Sequence, residues 1–155
     1  MIAAMLVTLV RHGDANPQSG ALDDAGRALS HRGREQARAS GRALAEQGAK
    51  ITHVWTSPLV RAVQTAELML AQLGFAGAPQ TRADLCPDCT PRPLLLDLRG
   101  LDPNADVLVV GHMPYMPSLA SELLGAHVGG FGTGAAMRLE WGAAQRGDLL
   151  WVWRG

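Results

Sequence analysis

Two kinds of apolar pattern alternate along this chain. Short unbroken runs, such as Met5-Leu6-Val7-Thr8-Leu9-Val10 and Val107-Leu108-Val109-Val110, read as strands buried on both faces. Between them, small or apolar residues return every three or four positions. Ala37, Gly41, Leu44, Ala45 and Gly48 trace one face of a helix that stops at Gly48. Val63, Ala66, Leu70 and Leu73 trace a second, ended by Gly74. Ser57-Pro58 ahead of that stripe predicts its start, with serine as N-cap and proline at the first helical position.

The same reading predicts a strand over 52–55, a brief one near 81–83, a short helix over 94–101 and a helix over 118–124 behind Pro117. Residues 14–30 read as a polar loop. Two strands close the chain. In the first, Met137, Leu139 and Trp141 alternate with Arg138 and Glu140, which predicts one wet face; the second, over 149–153, reads as mostly buried. Phe131 and Trp141 read as exposed enough to permit a small interface. Strands alternating with helices predict an α/β fold: a three-layer sandwich whose mostly parallel central sheet of about five to six strands is flanked by helices, with no lid domain.

Composition adds limits. The chain has 155 residues, which suits a single domain over 1–155. Apolar residues make up 47% and charged residues 18%, a balance that can fill a core. Fourteen basic and fourteen acidic residues leave no cationic excess, so a nucleic-acid partner is not expected. No apolar run approaches the roughly eighteen residues of a membrane span, and the opening apolar residues lack a basic leader, so a cytoplasmic protein without membrane contact is expected. Cys86 and Cys89 form a lone C-x-x-C in a proline-punctuated loop; with no second pair they are expected to be plain thiols.

The chemistry lies where strands end. Arg11-His12-Gly13 follows the first strand directly, placing a guanidinium and an imidazole at the carboxyl edge of the sheet, where open α/β sheets bind ligands. A neutral imidazole can attack phosphorus and split one hard displacement into two easier ones. Arg11 can fork onto two phosphate oxygens. Gly13 would let the backbone approach the oxyanion closely. Arg61 falls in the first turn of the second helix, where the macrodipole disfavours a cation unless an anion is near. Gly111-His112 repeats the strand-then-histidine arrangement, and His112 could donate to a non-bridging oxygen. The four histidines besides His12 (His31, His53, His112 and His127) show neither H-x-H nor H-E-x-x-H spacing and interleave with arginines, so neither a metal nor a cofactor is expected.

In this order, these motifs resemble the histidine phosphatase superfamily (phosphoglycerate-mutase-like). Arg11-His12-Gly13 looks like its signature, Thr56-Ser57-Pro58-Leu59-Val60-Arg61-Ala62-Val63-Gln64-Thr65-Ala66 its second-arginine segment, and Gly111-His112 its second-histidine segment. Leu29-Ser30-His31-Arg32-Gly33-Arg34-Glu35-Gln36-Ala37 is similar to the start of its first helix. The resemblance implies His12 as phosphorylated nucleophile, a phosphate pocket of Arg11, Gly13, Arg61 and His112, and Asp84 as proton donor, with Asp88 or Asp14 as alternatives. The short span between Arg61 and His112, and the Arg-His-Gly-Asp-Ala opening completed by Ala15, resemble the SixA-type phosphohistidine phosphatases. A site without a lid would admit a phosphohistidine on another protein. The alternatives are a small-molecule phosphomonoesterase acting on a phosphorylated metabolite, and a non-catalytic phosphate-binding module.

Overall fold

The computed structural model describes residues 4–20, 23–142 and 146–155. In chain order the elements are β1 (Met5–Arg11), α1 (His31–Glu46), β2 (His53–Thr56), α2 (Val60–Leu73), β3 (Gln80–Thr81), α3 (Arg92–Arg99), β4 (Asp106–Gly111), α4 (Tyr115–Leu124), β5 (Ala136–Trp141) and β6 (Asp148–Trp153). Short 3₁₀ turns occupy Asp24–Gly26 and Ala83–Leu85. The six strands form one sheet in the order β3-β2-β4-β1-β5-β6. β3, β2, β4 and β1 run parallel; β5 and β6 are antiparallel additions at one edge.

β4 shows why the sheet is covered on both faces. Its side chains alternate between two separate cores, as strand geometry requires. Val107 and Val109 pack with Leu94, Leu98, Leu119 and Leu123 of α3 and α4. Leu108 and Val110 pack with Leu44, Ala62, Ala66 and Met69 of α1 and α2. Three layers result. α1 meets α2 closely because Gly41 carries no side chain: a Cβ there would stand 3.0 Å from the Met69 Cα. The 74–105 connection also builds core, since Leu85, Leu94 and Leu98 are fully buried. Among the described residues, no helix is long and apolar enough to cross a membrane.

Several local expectations give way to tertiary context. Ser57 does not cap α2, which starts at Val60 behind an extended Leu59. α4 begins at Tyr115, three residues before the expected start, with Pro117 inside its first turn. The wet face expected for β5 is not wet at Arg138: its side chain is buried and forks onto Asp106 at 2.9 and 2.7 Å, with a further bond to Thr8 Oγ1 at 2.9 Å. Register explains this, because Thr8 lies between Arg138 on one side and Leu108, two residues beyond Asp106, on the other. β6, expected to be mostly buried, is an edge strand with Leu149 51% and Leu150 50% exposed. Phe131 and Trp141, expected at the surface, are buried in the core beside α3 and α4.

Candidate functional site

Three adjacent parallel strands end at one level. Arg11 of β1 pairs with Gly111 of β4, and Thr56 of β2 pairs with Val110. The ladder then runs one step further: the His12 amide donates to Gly111 O at 3.0 Å and the Ser57 amide to Val110 O at 3.1 Å. His12, His112 and Ser57 are thereby set side by side at the carboxyl edge of the sheet. Arg61 joins them from the first turn of α2, the helix that follows β2.

His12 is buried, and its Nδ1 lies 2.6 Å from its neighbour's carbonyl, Gly13 O. A carbonyl only accepts, so Nδ1 carries the proton and the Nε2 lone pair is left free. Burial is the main cause that lowers the His12 pKa to about 4; the Gly13 carbonyl opposes it, and the charges of Arg61, Arg11 and Arg27 add to it. At neutral pH the ring is therefore uncharged and nucleophilic. The His112 ring lies 5.0 Å away, centroid to centroid, tilted by 58°. Burial, then His12 and Arg61, lower the His112 pKa to about 3. Its Nε2 contacts Ser57 Oγ at 2.7 Å, while its Nδ1 is buried with no protein partner.

Two more buried nitrogens among these site residues lack partners: Nε of Arg11 and Nε of Arg61. A guanidinium N–H always donates, and leaving one buried and unmatched costs about 1–3 kcal/mol. Both guanidiniums are anchored through their other nitrogens. Arg11 Nη1 donates to Phe131 O at 2.8 Å. Arg61, only 4% exposed, donates from Nη1 to Asp24 O at 2.9 Å and from Nη2 to Asp24 Oδ2 at 3.2 Å. Anchored arginines with spare N–H groups beside a neutral imidazole make a receptor for a tetrahedral anion.

Other motif positions have structural tasks here. The Gly13 amide donates to Thr65 Oγ1 at 3.1 Å, and Thr65 donates to Arg61 O at 2.7 Å. This corrects the expectation that Gly13 offers its backbone to the oxyanion. Glycine is needed at 13 because a Cβ would stand 2.5 Å from Gly33 O, where α1 begins. Gln64 Oε1 accepts from the Leu29 amide at 2.7 Å and ties the preceding loop to α2. Asp14 is also tied into the scaffold, its carboxylate accepting from the Ser30 hydroxyl at 2.7 Å and its amide donating to Gln36 at 2.8 Å.

The structure does not connect Asp84 with the imidazoles. Its carboxylate accepts from Arg82 Nε at 2.9 Å and Nη2 at 2.8 Å. Those bonds hold its pKa below the usual carboxylate range. Arg82 is held in turn by Asp97 at 2.7 Å and by the Trp55 ring face at 4.6 Å. The acid that does reach the site is Asp24, which pattern reading passed over. Besides its bonds to Arg61 it accepts from Arg27 Nε at 3.0 Å. Its field is felt at His112, and the field of Arg27 at His12. The only hint in the sequence was that the 14–30 loop follows the Arg-His-Gly motif directly. Cys86 and Cys89 are both free thiols, and among the described residues no group of three or more His, Cys, Asp or Glu could hold a metal.

Comparison with known proteins follows the same lines. The model of the "Histidine phosphatase superfamily (branch 1)" matches residues 7–86, which include Arg11, His12 and Arg61. An uncharacterised protein of Picosynechococcus sp. is 32% identical over 106 residues, and the match spans 67% of this chain and 64%, just under two thirds, of that relative. The solved structure of the protein histidine phosphatase SixA complexed with tungstate superposes with a TM-score of 0.89 at 28% identity, covering 97% of each chain. A mycobacterial glucosyl-3-phosphoglycerate phosphatase shares the fold with a TM-score of 0.74 at 20% identity, covering 98% of this chain and 99% of that one.

Proposed function

Because this chain belongs to the histidine phosphatase superfamily (branch 1), we propose that it is a phosphatase whose nucleophile is His12 and whose substrate is phosphohistidine displayed on another protein. The observation that carries this reading is the 2.6 Å contact from His12 Nδ1 to Gly13 O, which leaves the Nε2 lone pair free beside two unmatched arginine N–H groups. Nε2 attacks phosphorus and the bond from phosphorus to the substrate's leaving atom breaks. The transferred group then sits on His12 Nε2 while Nδ1 keeps its proton, and Gly13 O stabilises the resulting ring charge. Water attacks next, the P–N bond to His12 breaks, and the neutral ring returns. Arg11, Arg61 and His112 hold the equatorial oxygens through both displacements.

Substrate choice rests on the proton. An alkoxide leaving group needs a general acid, and the expected donor, Asp84, is held ionised by Arg82. Phosphohistidine needs less help. Once its ring is protonated on the nitrogen away from phosphorus, it departs as neutral imidazole with no further proton. Similarity to a structure named as a protein histidine phosphatase supports the same choice. The residues between α2 and β4 that could have formed a cap instead fill the core, which suits a substrate carried on a second protein.

Side-by-side turnover of a phosphohistidine protein and a panel of phosphomonoesters tests this reading. Phosphohistidine is expected to turn over fastest, and Asp84→Asn to change neither its rate nor that of an alkyl phosphate more than a few-fold, because the carboxylate is committed to Arg82. Faster turnover of a phosphorylated metabolite would replace the protein substrate with a small molecule. Absence of turnover on every substrate would leave a phosphate-binding module.

A further inference from the structure

We infer that Ser57 is a positioning residue that fixes which nitrogen of His112 carries the proton, and so makes His112 a hydrogen-bond donor to the substrate without any charge on its ring. The inference rests on the phosphatase reading for its consequence but on geometry for its content. Ser57 is fully buried, so its hydroxyl must find its partners inside the protein. Two are present. The Leu59 amide donates to Ser57 Oγ at 3.2 Å, and His112 Nε2 lies 2.7 Å from the same oxygen.

A hydroxyl has one proton to give. The Leu59 N–H can only donate, so the Ser57 proton has a single acceptor within reach, His112 Nε2. That places the proton of the neutral ring on Nδ1. The opposite tautomer would fail twice. Nε2–H facing Ser57 would leave the proton of a fully buried hydroxyl without an acceptor. It would also turn the bare Nδ1 lone pair toward whatever fills the site, and a lone pair repels phosphate oxygen. Nδ1 is one of the buried nitrogens with no protein partner, as are Arg11 Nε and Arg61 Nε. The three form a set of unmatched donors on one anion site only if Nδ1 is protonated.

The arrangement also explains why Ser57-Pro58 does not cap α2. The serine side chain is committed to the histidine at the end of the neighbouring strand, and Leu59 takes the N-cap position instead. Because the ring is neutral, its donor does not depend on bulk pH through the mildly acidic range. His112 serves as a fixed dipole and not as a titrating acid.

The test reads tautomers directly. Long-range ¹H–¹⁵N correlation spectra of the full-length protein should show His112 as the Nδ1–H form. In Ser57→Ala the spectrum should move to Nε2–H or to a mixture, tungstate should bind about ten- to a hundredfold more weakly, and kcat should fall more than KM rises. Ser57→Thr restores the hydroxyl and should recover the Nδ1–H spectrum and most of the tungstate affinity. An Nε2–H wild-type ring would overturn the inference, as would a Ser57→Ala protein with unchanged spectrum and unchanged tungstate affinity. An inactive wild type that still showed the Ser57-dependent tautomer would overturn the phosphatase reading and leave this one standing.

Discussion

Asp24 and Arg61, 37 residues apart, are joined twice: the arginine donates from Nη1 to the aspartate's backbone carbonyl at 2.9 Å and from Nη2 to its carboxylate at 3.2 Å. The carboxylate places a negative charge beside a site built for an anion. Two effects compete when it is removed. Losing a bond could loosen Arg61, and losing the charge should favour phosphate. Arg61 is 4% exposed and keeps its bond to the Asp24 carbonyl, so the charge effect should win. Asp24→Asn is expected to tighten tungstate binding by about threefold at low ionic strength, with the gain shrinking as salt is added. Titration calorimetry measures this. Weaker binding would mean that the carboxylate holds Arg61 in place.

Arg61 itself offers a fork that lysine cannot copy. Arg61→Lys keeps the charge but loses the Nε donor and the paired anchor on Asp24. The rate of phosphate release should fall by about 10²- to 10³-fold, the effect of removing a donor from a developing oxyanion. The urea midpoint should change little, since the helix and both cores are untouched. A large loss of stability with intact turnover would make Arg61 a structural residue.

Acid should unfold this protein through its active site. In the unfolded chain a histidine binds its proton near pH 6.5, whereas in the folded chain His12 does so only near about 4 and His112 near about 3. Between those limits the unfolded state holds more protons, so the folded state loses stability as pH falls. The contribution is complete above pH 6.5 and drains away as pH drops toward the folded values. Asp24 and Asp84, also lowered, extend the loss at still lower pH. Urea midpoints measured between pH 7.5 and 4.5 should decline, and less steeply in His12→Asn. An identical slope in the variant would contradict the buried neutral ring.

The buried ion pair of Arg138 and Asp106 should be costly to break. Arg138→Ala leaves the Asp106 carboxylate, 4% exposed, without its fork of 2.9 and 2.7 Å. A loss of about 3–5 kcal/mol in unfolding free energy is expected from chemical denaturation. Below about 1 kcal/mol, the pair would have to be solvated in solution.

Most of what the sequence displayed was local. β4 was legible because a strand buried on both faces needs an unbroken apolar run, and Val107 to Val110 supply one. His12 and His112 were legible because each sits one step past such a run. Arg138 was misread because alternation with Leu139 and Trp141 is the same whether the polar face meets water or a carboxylate 32 residues away. β6 was misread for a related reason: an apolar run does not reveal whether a further strand will cover it. Asp24 was invisible, since nothing local says that its loop folds back onto α2. Ser57 carried a true helix-start pattern, but its tertiary partner His112 outbid the helix. The site's strand-borne groups could be read from the chain, while the groups that orient them needed the fold.

The central claim is that His12 becomes covalently phosphorylated. A single turnover quenched in base, with the modified peptide located by mass spectrometry, tests it most directly. The account predicts one phosphoryl group on His12, stable in base, lost in acid and absent from His12→Ala, which should release no phosphate above background. Phosphate release by His12→Ala at the wild-type rate, or a phosphoryl group on any other residue, would contradict it.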